Sequence, residues 1–319
     1  MKVLITGGTN GMGKGVALAL AARDEQRHEV IVLGRSMERG ASTIRELQAR
    51  TGNLKASFVR CDLTKLSDVS AAIAELHATH QSLDGVFINA GLGYAARRAE
   101  TPDGLEPHFQ VNYLAQFMLT LNLLDLLERS AEGGRVVFNV TEGGHIFWED
   151  LQRKKAWDFE GSIHQAMVAK RMFYTRLHRI LREGGLSKLS VFGFEIPKTV
   201  WSNQVNIIPS SMRAMATVVK WFGGFISIEE CGAIIAPLFT EGQDESLERS
   251  GKLVTAKKGV FIEKAEDLAV LDPATQDKLW RMSLELCADE GTRRIADALG
   301  APWAGSAPPP AVSERGAAG

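Results

Sequence analysis

The residues best placed to do chemistry lie near the start of the chain, where Thr6-Gly7-Gly8-Thr9-Asn10-Gly11-Met12-Gly13 joins a short apolar run to a helical pattern. Glycines between a strand and a helix let the backbone approach a phosphate, and the helix N-terminus offers unpaired N–H groups and partial positive charge to hold it. The position of the loop predicts a bound dinucleotide. The second apolar run ends Leu33-Gly34-Arg35-Ser36. A guanidinium stands there in place of the acid that hydrogen-bonds an NAD ribose, and it can grip a 2′-phosphate. The expected cofactor is therefore NADP(H).

These residues need a scaffold that gathers strand ends. Lys2–Thr6, Glu29–Leu33, Ala56–Arg60, Asp84–Asn89, Arg135–Val140 and Leu189–Phe194 read as strands, and their near-continuous hydrophobicity predicts a parallel sheet covered on both faces. Helical patterns at Gly13–Arg23, Met37–Arg50, Ser67–His80, Pro107–Leu127 and Ser162–Arg182 alternate with them. That alternation predicts an α/β fold, a doubly wound Rossmann domain over residues 1–300. After about residue 195 the rhythm breaks. A helical stretch from Val205 to Leu238, a last strand at Gly251–Val254 and a helix near Pro273–Asp289 are expected. Residues 197–240 are expected to form an apolar substrate lid, with Trp201, Ile207, Ile208, Met212, Met215, Val218, Trp221, Phe222 and Phe225 suited to a bulky hydrophobic substrate. Residues 301–319, rich in Ala, Pro and Gly, are expected to be a disordered tail.

The Gly-x-x-x-Gly-x-Gly spacing, Asp62-Leu63 after the third strand, Asn89-Ala90-Gly91 after the fourth and Asn112 in Val111-Asn112 together resemble the short-chain dehydrogenase/reductase family. Gly251-Lys252 and Lys278-Leu279-Trp280 are similar to its branch of retinol dehydrogenases and protochlorophyllide reductases. The resemblance implies that Thr6, Gly7, Thr9, Asn10, Gly11, Met12 and Gly13 cradle the pyrophosphate, with Arg35 and Ser36 at the ribose phosphate. It likewise implies Asp62 and Leu63 at the adenine, and Asn89, Ala90 and Gly91 along the cofactor. Pro197 and Val200 would flank the nicotinamide, although Lys198 replaces the family's glycine between them. Family members also often pair through the helices corresponding to Pro107–Leu127 and Ser162–Arg182, which makes a homodimer an open expectation.

The resemblance also implies a Tyr four residues before a Lys, the Lys lowering the phenol's pKa and holding the cofactor ribose. Lys170 fits the lysine, but Ala166 stands in the tyrosine's place. Asn139-Val140-Thr141-Glu142 aligns with the family's Asn-(Ile/Val)-Ser-Ser, leaving Thr141 to bond the substrate oxygen and putting Glu142 where the serine is usual. Asn112 would support a water relay. Four groups are candidates for the missing proton donor: Glu142, whose burial would raise its pKa, His164, His145 and Tyr94. Tyr174 lies one turn beyond Lys170, away from the nicotinamide end. Hydride transfer to or from a hydrophobic carbonyl, alcohol or conjugated alkene is the leading expectation. A non-redox cyclase, isomerase or dehydratase, and a catalytically silent nucleotide-binding protein, are the alternatives.

Composition narrows the rest. The chain has 319 residues, with 37 Lys+Arg against 38 Asp+Glu, a net charge of −1 that disfavours nucleic acid. Cys61, Cys231 and Cys287 are too scattered for a disulfide framework or a metal cluster, so no metal and a cytoplasmic location are expected. The most apolar long stretch, Phe109 to Leu127, carries Gln110, Asn112, Gln116 and Thr120, so no membrane span is expected.

Overall fold

Val3, Leu4, Ile5, Val30, Ile31, Val32, Val86, Phe87 and Ile88 are all buried. Strands made of such runs need cover on both faces, and helical crossovers between parallel strands supply it. The computed structural model describes residues 1–22, 28–201, 210–221 and 223–300. Its main sheet comprises β1 (Lys2–Thr6), β2 (Glu29–Gly34), β3 (Ala56–Arg60), β4 (Gly85–Ile88), β5 (Arg135–Asn139), β6 (Ser190–Glu195), β9 (Leu253–Lys257) and β10 (Val260–Lys264). The order is β10-β9-β6-β5-β4-β1-β2-β3. All neighbours run parallel except the β9–β10 hairpin. This is the doubly wound α/β fold the sequence predicts, with the strand order reversing beside β1, where ligands bind in such sheets. The helices α1 (Gly11–Ala21), α2 (Met37–Thr51) and α3 (Leu66–Thr79) link the first four strands.

Several expectations need correction. Gly251–Val254 is not the last strand: the strand is Leu253–Lys257, and the chain returns through Val260–Lys264. That edge strand is largely exposed, so it lacks the apolar run that marks the inner strands. Pro107–Leu127 is not one regular helix. It comprises Pro107–Phe109, a π-helical turn Gln110–Leu114, Ala115–Asn122 and Leu124–Glu128.

Residues 197–240, expected as a lid, do not form one unit apart from the body. Thr199–Val200 (β7) and Phe225–Ile226 (β8) pair as a small second sheet, with the helix Ser210–Trp221 between them in sequence. The helices Ile228–Ile235 and Pro237–Thr240 belong to the body, because Cys231, Ile235, Leu238 and Phe239 are buried in one core with Val16 and Leu20 of α1. Gly15 and Gly232 make this possible: a Cβ on Gly15 would collide with the carbonyl oxygen of Ile228, and one on Gly232 with that of Gly15. Ile207, Ile208 and the expected tail at 301–319 lie outside the described residues, as do the side chains of Met212 and Phe222.

The long helix Phe159–Glu183 has no exposed residue between Gly161 and Arg182, and every residue from Val111 to Leu121 is buried. The chain's own C-terminal helices, Pro273–Cys287 and Glu290–Ala298, help cover both. The Trp280 ring meets those of Phe117 and Phe173 at centroid separations of 5.2 and 5.9 Å. Tyr113 Oη lies 2.6 Å from Ser283 Oγ, and Asn122 Nδ2 donates to Thr292 Oγ1 at 2.8 Å. Much of the surface through which the resemblance implied pairing is therefore occupied within one chain.

Candidate cofactor cleft and active site

The glycine loop is built by close approach. Gly7 and Gly11 have φ of +69° and +53°, the left-handed region that glycine enters at little cost. A Cβ on Gly13 would lie 2.6 Å from Asn89 Nδ2 and 2.7 Å from the Gly7 carbonyl oxygen. At the N-terminus of α1, Asn10 is extended and makes no side-chain cap, and the first turn carries no acid. The first N–H groups of this helix are thus left to an anion. Thr6, fully buried, ties the strand ends together: its Oγ1 accepts from the amides of Asn89 and Ala90, both at 2.9 Å. Asn89 Nδ2 returns a bond to the Thr6 carbonyl at 3.0 Å.

Arg35 is exposed, and among the described residues no hydrogen bond or ion pair engages its guanidinium. Thr9 lies beside the preceding Gly34, where a Cβ would be 3.3 Å from Thr9 Cγ2. Ser36 caps α2 by accepting from the Arg39 amide at 3.3 Å. Asp62 Oδ1 accepts from the amide and hydroxyl of Thr64 at 3.1 and 2.8 Å, holding the turn that buries Leu63.

Asn112 sits in the π-helical turn, an irregularity often found at functional sites. Its Oδ1 accepts from the Leu92 amide at 2.6 Å, and a Cβ on Gly91 would lie 3.2 Å from that oxygen. Gln116, which sequence reasoning had noted only as a reason against a membrane span, is a second organiser. Its Nε2 donates to the Ala90 carbonyl at 2.5 Å and its Oε1 accepts from Thr6 Oγ1 at 3.1 Å. The signal was a polar residue in an apolar run, which here means a buried group with partners to find.

Lys170 reaches the end of β5. It is 2% exposed, its Nζ donates to the Asn139 carbonyl at 3.1 Å, and among the described residues no carboxylate pairs with it. Burial pushes its ammonium down to about 7. Ala166 lies one turn before Lys170, on the same side of the helix. It is fully buried in the core cluster that contains Phe173, seven residues on and on the same side of the helix. His164 is the residue that meets the loop after β5, for a Cβ on Gly144 would lie 2.7 Å from His164 Cβ. Arg171 Nη2 donates to the Gly143 carbonyl at 3.2 Å while its Nη1 bonds Glu266 at 2.8 Å, and Tyr174 Oη donates to the same carboxylate at 3.0 Å. Arg171, Glu266 and Tyr174 escaped sequence reasoning as a cluster because more than ninety positions separate the glutamate from its partners.

Glu142 lacks the burial that its role as an acid required. Its side chain is 46% exposed and pairs with Lys264 at 2.8 Å, and Lys264 also bonds Glu195. Although desolvation pulls the Lys264 ammonium down, the hydrogen bonds it donates to Glu142 and Glu195 hold it above its ordinary value. Thr141 is exposed at the head of the same loop, and the exposed His145 ring stands 4.0 Å from that of Phe147. Pro197 is exposed and Val200 half-buried, and Lys198 avoids positive φ, so the lost glycine leaves no strained backbone there.

Beyond Gly91 opens a cavity of about 260 Å³ lined by Leu92, Tyr94, Arg97, His108 and Trp157. Tyr94 is a wall of this cavity, its ring edge-on to Phe159 at 5.3 Å. At its base His108 and Glu106 form a buried pair at 3.0 Å. Burial alone would raise the Glu106 carboxyl, but the hydrogen bond from His108 and the Phe109 amide hold it below its usual range. Burial opposes charge on His108 too, yet Glu106 and the Gly93 carbonyl raise its pKa.

Comparison with known proteins bears on the family and the fold. The family model for short chain dehydrogenases matches residues 1–149. Polyprenol dehydrogenase of Mus musculus is 33% identical over 188 residues, 57% of this chain and 55% of that protein. The chain thus matches little more than half the length of that relative. Retinol dehydrogenase 11 of Homo sapiens is 31% identical over 224 residues, 69% of this chain and 67% of that protein. Among solved structures, L-sorbose reductase from Gluconobacter frateurii, crystallised with NADPH and L-sorbose, superposes with a TM-score of 0.61 at 15% identity, covering 80% of this chain and 94% of that one. The last likeness speaks to the fold, and the 31% identity across two thirds of both chains speaks to descent. The chain belongs to the short-chain dehydrogenase family.

Proposed function

We propose that this chain is an NADP(H)-dependent oxidoreductase acting on a hydrophobic carbonyl, alcohol or conjugated alkene, with Lys170 as its proton-carrying group. The observation that carries the reading is Lys170 itself: a buried amine with no anionic partner among the described residues, at the end of β5, where the cleft floor is drawn together. The residues present fit the cofactor. The uncapped N-terminus of α1 suits the pyrophosphate, and Arg35, with no acid beside it at the end of β2, suits a 2′-phosphate. Bound there, the cofactor supplies or accepts hydride.

The chain's own groups manage the rest. Lys170, cationic below about 7 and neutral above it, can give a proton to a developing alkoxide or take one from an alcohol. Thr141, exposed on the loop after β5, can bond the substrate oxygen. Asn112, Gln116 and Thr6 hold the strand ends that shape the cleft. The relatives support the substrate class, since polyprenol and retinol are long apolar alcohols.

Deuteride transfer tests the reading. NADPH labelled at the transferring position should pass label to retinal, a polyprenal or an aryl ketone, and Lys170→Met should slow transfer by about 10² or more. Tight NADPH binding with no transfer to any of these would sink the redox reading and favour a non-redox or silent scaffold. Full activity in Lys170→Met, with loss in His164→Gln, would move the proton role to His164.

A further inference from the structure

From Ile196 to Ile228 the sequence contains no Asp or Glu and carries Lys198, Arg213 and Lys220, in a chain whose net charge is −1. Within this stretch lies the helix Ser210–Trp221. Met215, Val218, Val219 and Trp221 on it are 64%, 57%, 43% and 87% exposed. Met215, Val218 and Val219 follow i, i+3, i+4 spacing and share one face, whereas Arg213, Thr217 and Lys220 share another. Aromatic rings and cations meet at its foot: Lys220 Nζ stands 4.1 Å from the centroid of the Trp201 ring, which is edge-on to Phe225 at 5.2 Å. Lys198 Nζ donates to the Gly223 carbonyl at 3.0 Å, which places a third cation close by.

An exposed apolar strip of this kind marks an interaction surface. A second copy is a poor occupant, because a two-fold contact would set two acid-free, triply basic stretches against each other. A bilayer bearing anionic headgroups satisfies both faces at once. Apolar side chains enter the boundary between headgroups and acyl chains, Trp settles at that level, and Lys and Arg stems reach the phosphates. We propose that the helix Ser210–Trp221 docks in the plane of an anionic membrane surface, with Met215, Val218 and Val219 in the headgroup boundary and Lys198, Arg213 and Lys220 toward lipid phosphates. Docking of this kind lies on the membrane and needs no spanning segment. No helix among the described residues is long and apolar enough to cross one.

Co-sedimentation of the full chain with vesicles tests this. Vesicles of phosphatidylcholine mixed with phosphatidylglycerol should bind the protein at least roughly tenfold more than phosphatidylcholine alone, and salt should release it. Lys220→Glu, and Met215→Glu combined with Val218→Glu, should each cut binding about tenfold. Leu268→Glu, at an apolar side chain 82% exposed elsewhere on the surface, should leave binding unchanged. All these positions are exposed, so thermal melting should not move. Absence of vesicle binding, equal binding by the helix variants, or conversion of a dimer to a monomer by Met215→Glu with Val218→Glu would each overturn the proposal. No cofactor or substrate enters the assay, so its failure would leave the oxidoreductase reading standing.

Discussion

Lys170 is an unusual residue to bury. Its drop from 10.5 to about 7 through desolvation corresponds to roughly 5 kcal/mol between charged and neutral forms. Below pH 7 the lysine is charged in both folded and unfolded chains, and the fold bears the whole desolvation penalty. Between 7 and 10.5 the folded lysine releases its proton while the unfolded one keeps it, so stability recovers as pH rises through that window. Lys170→Met should therefore be more stable than the natural protein at pH 6, by a few kcal/mol on that scale, and the advantage should shrink toward pH 10. Urea titrations at both pH values decide it, and a constant gap would show that Lys170 is not held neutral. Ala166 calls for the opposite expectation to its sequence context. A tyrosine there would enter a core where Phe173 already meets Phe117 and Phe138 at 4.8 and 5.6 Å. Ala166→Tyr should lower stability by about 1–3 kcal/mol without raising carbonyl reduction. Gain of reductase activity at unchanged melting temperature would show that position 166 opens on the cleft.

At the scale of elements, the cofactor loop depends on a helix crossing far from any ligand. α1 and the helix Ile228–Ile235 touch through Gly15 and Gly232, with no room for a methyl group on either. Gly232→Ala should push the helices apart at a cost of about 2–3 kcal/mol and, because α1 begins at the glycine loop, weaken NADPH binding as well. Fluorescence titration of NADPH alongside thermal melting checks both, and unaltered binding at lowered stability would uncouple the crossing from the loop. This contact also shows what the sequence conceals. The inner strands announced themselves because Val3-Leu4-Ile5 and Val30-Ile31-Val32 need no partner to look buried. The glycine loop was legible because its residues are adjacent. Gly15 and Gly232 are more than two hundred positions apart, and neither means anything until the helices meet. The same holds for Arg171, Glu266 and Tyr174. Gln116 was visible as a polar intruder, but only the π-helical turn decides that it reaches Ala90 and Thr6.

At the scale of the whole molecule, the C-terminal helices change what the chain can join. A surface pairs with a second copy only if its apolar side chains are free to lose water, and here those of Val111–Leu121 and, beyond Met167, those of the long helix are already buried. Trp280 is the centre of this cover, wedged against Phe117 and Phe173 and with Arg176 5.5 Å from its ring. The expected outcome is a chain that sediments at its own mass of 34.8 kDa at micromolar concentration. Trp280→Ala should cost about 3–5 kcal/mol and expose the covered helices, so the variant should both melt earlier and begin to self-associate. If the natural protein sediments at twice its mass and Trp280→Ala leaves that mass unchanged, another surface forms the dimer. If instead Trp280→Ala dissociates such a dimer, the C-terminal helices are themselves the interface, and their packing within one chain holds only part of their role.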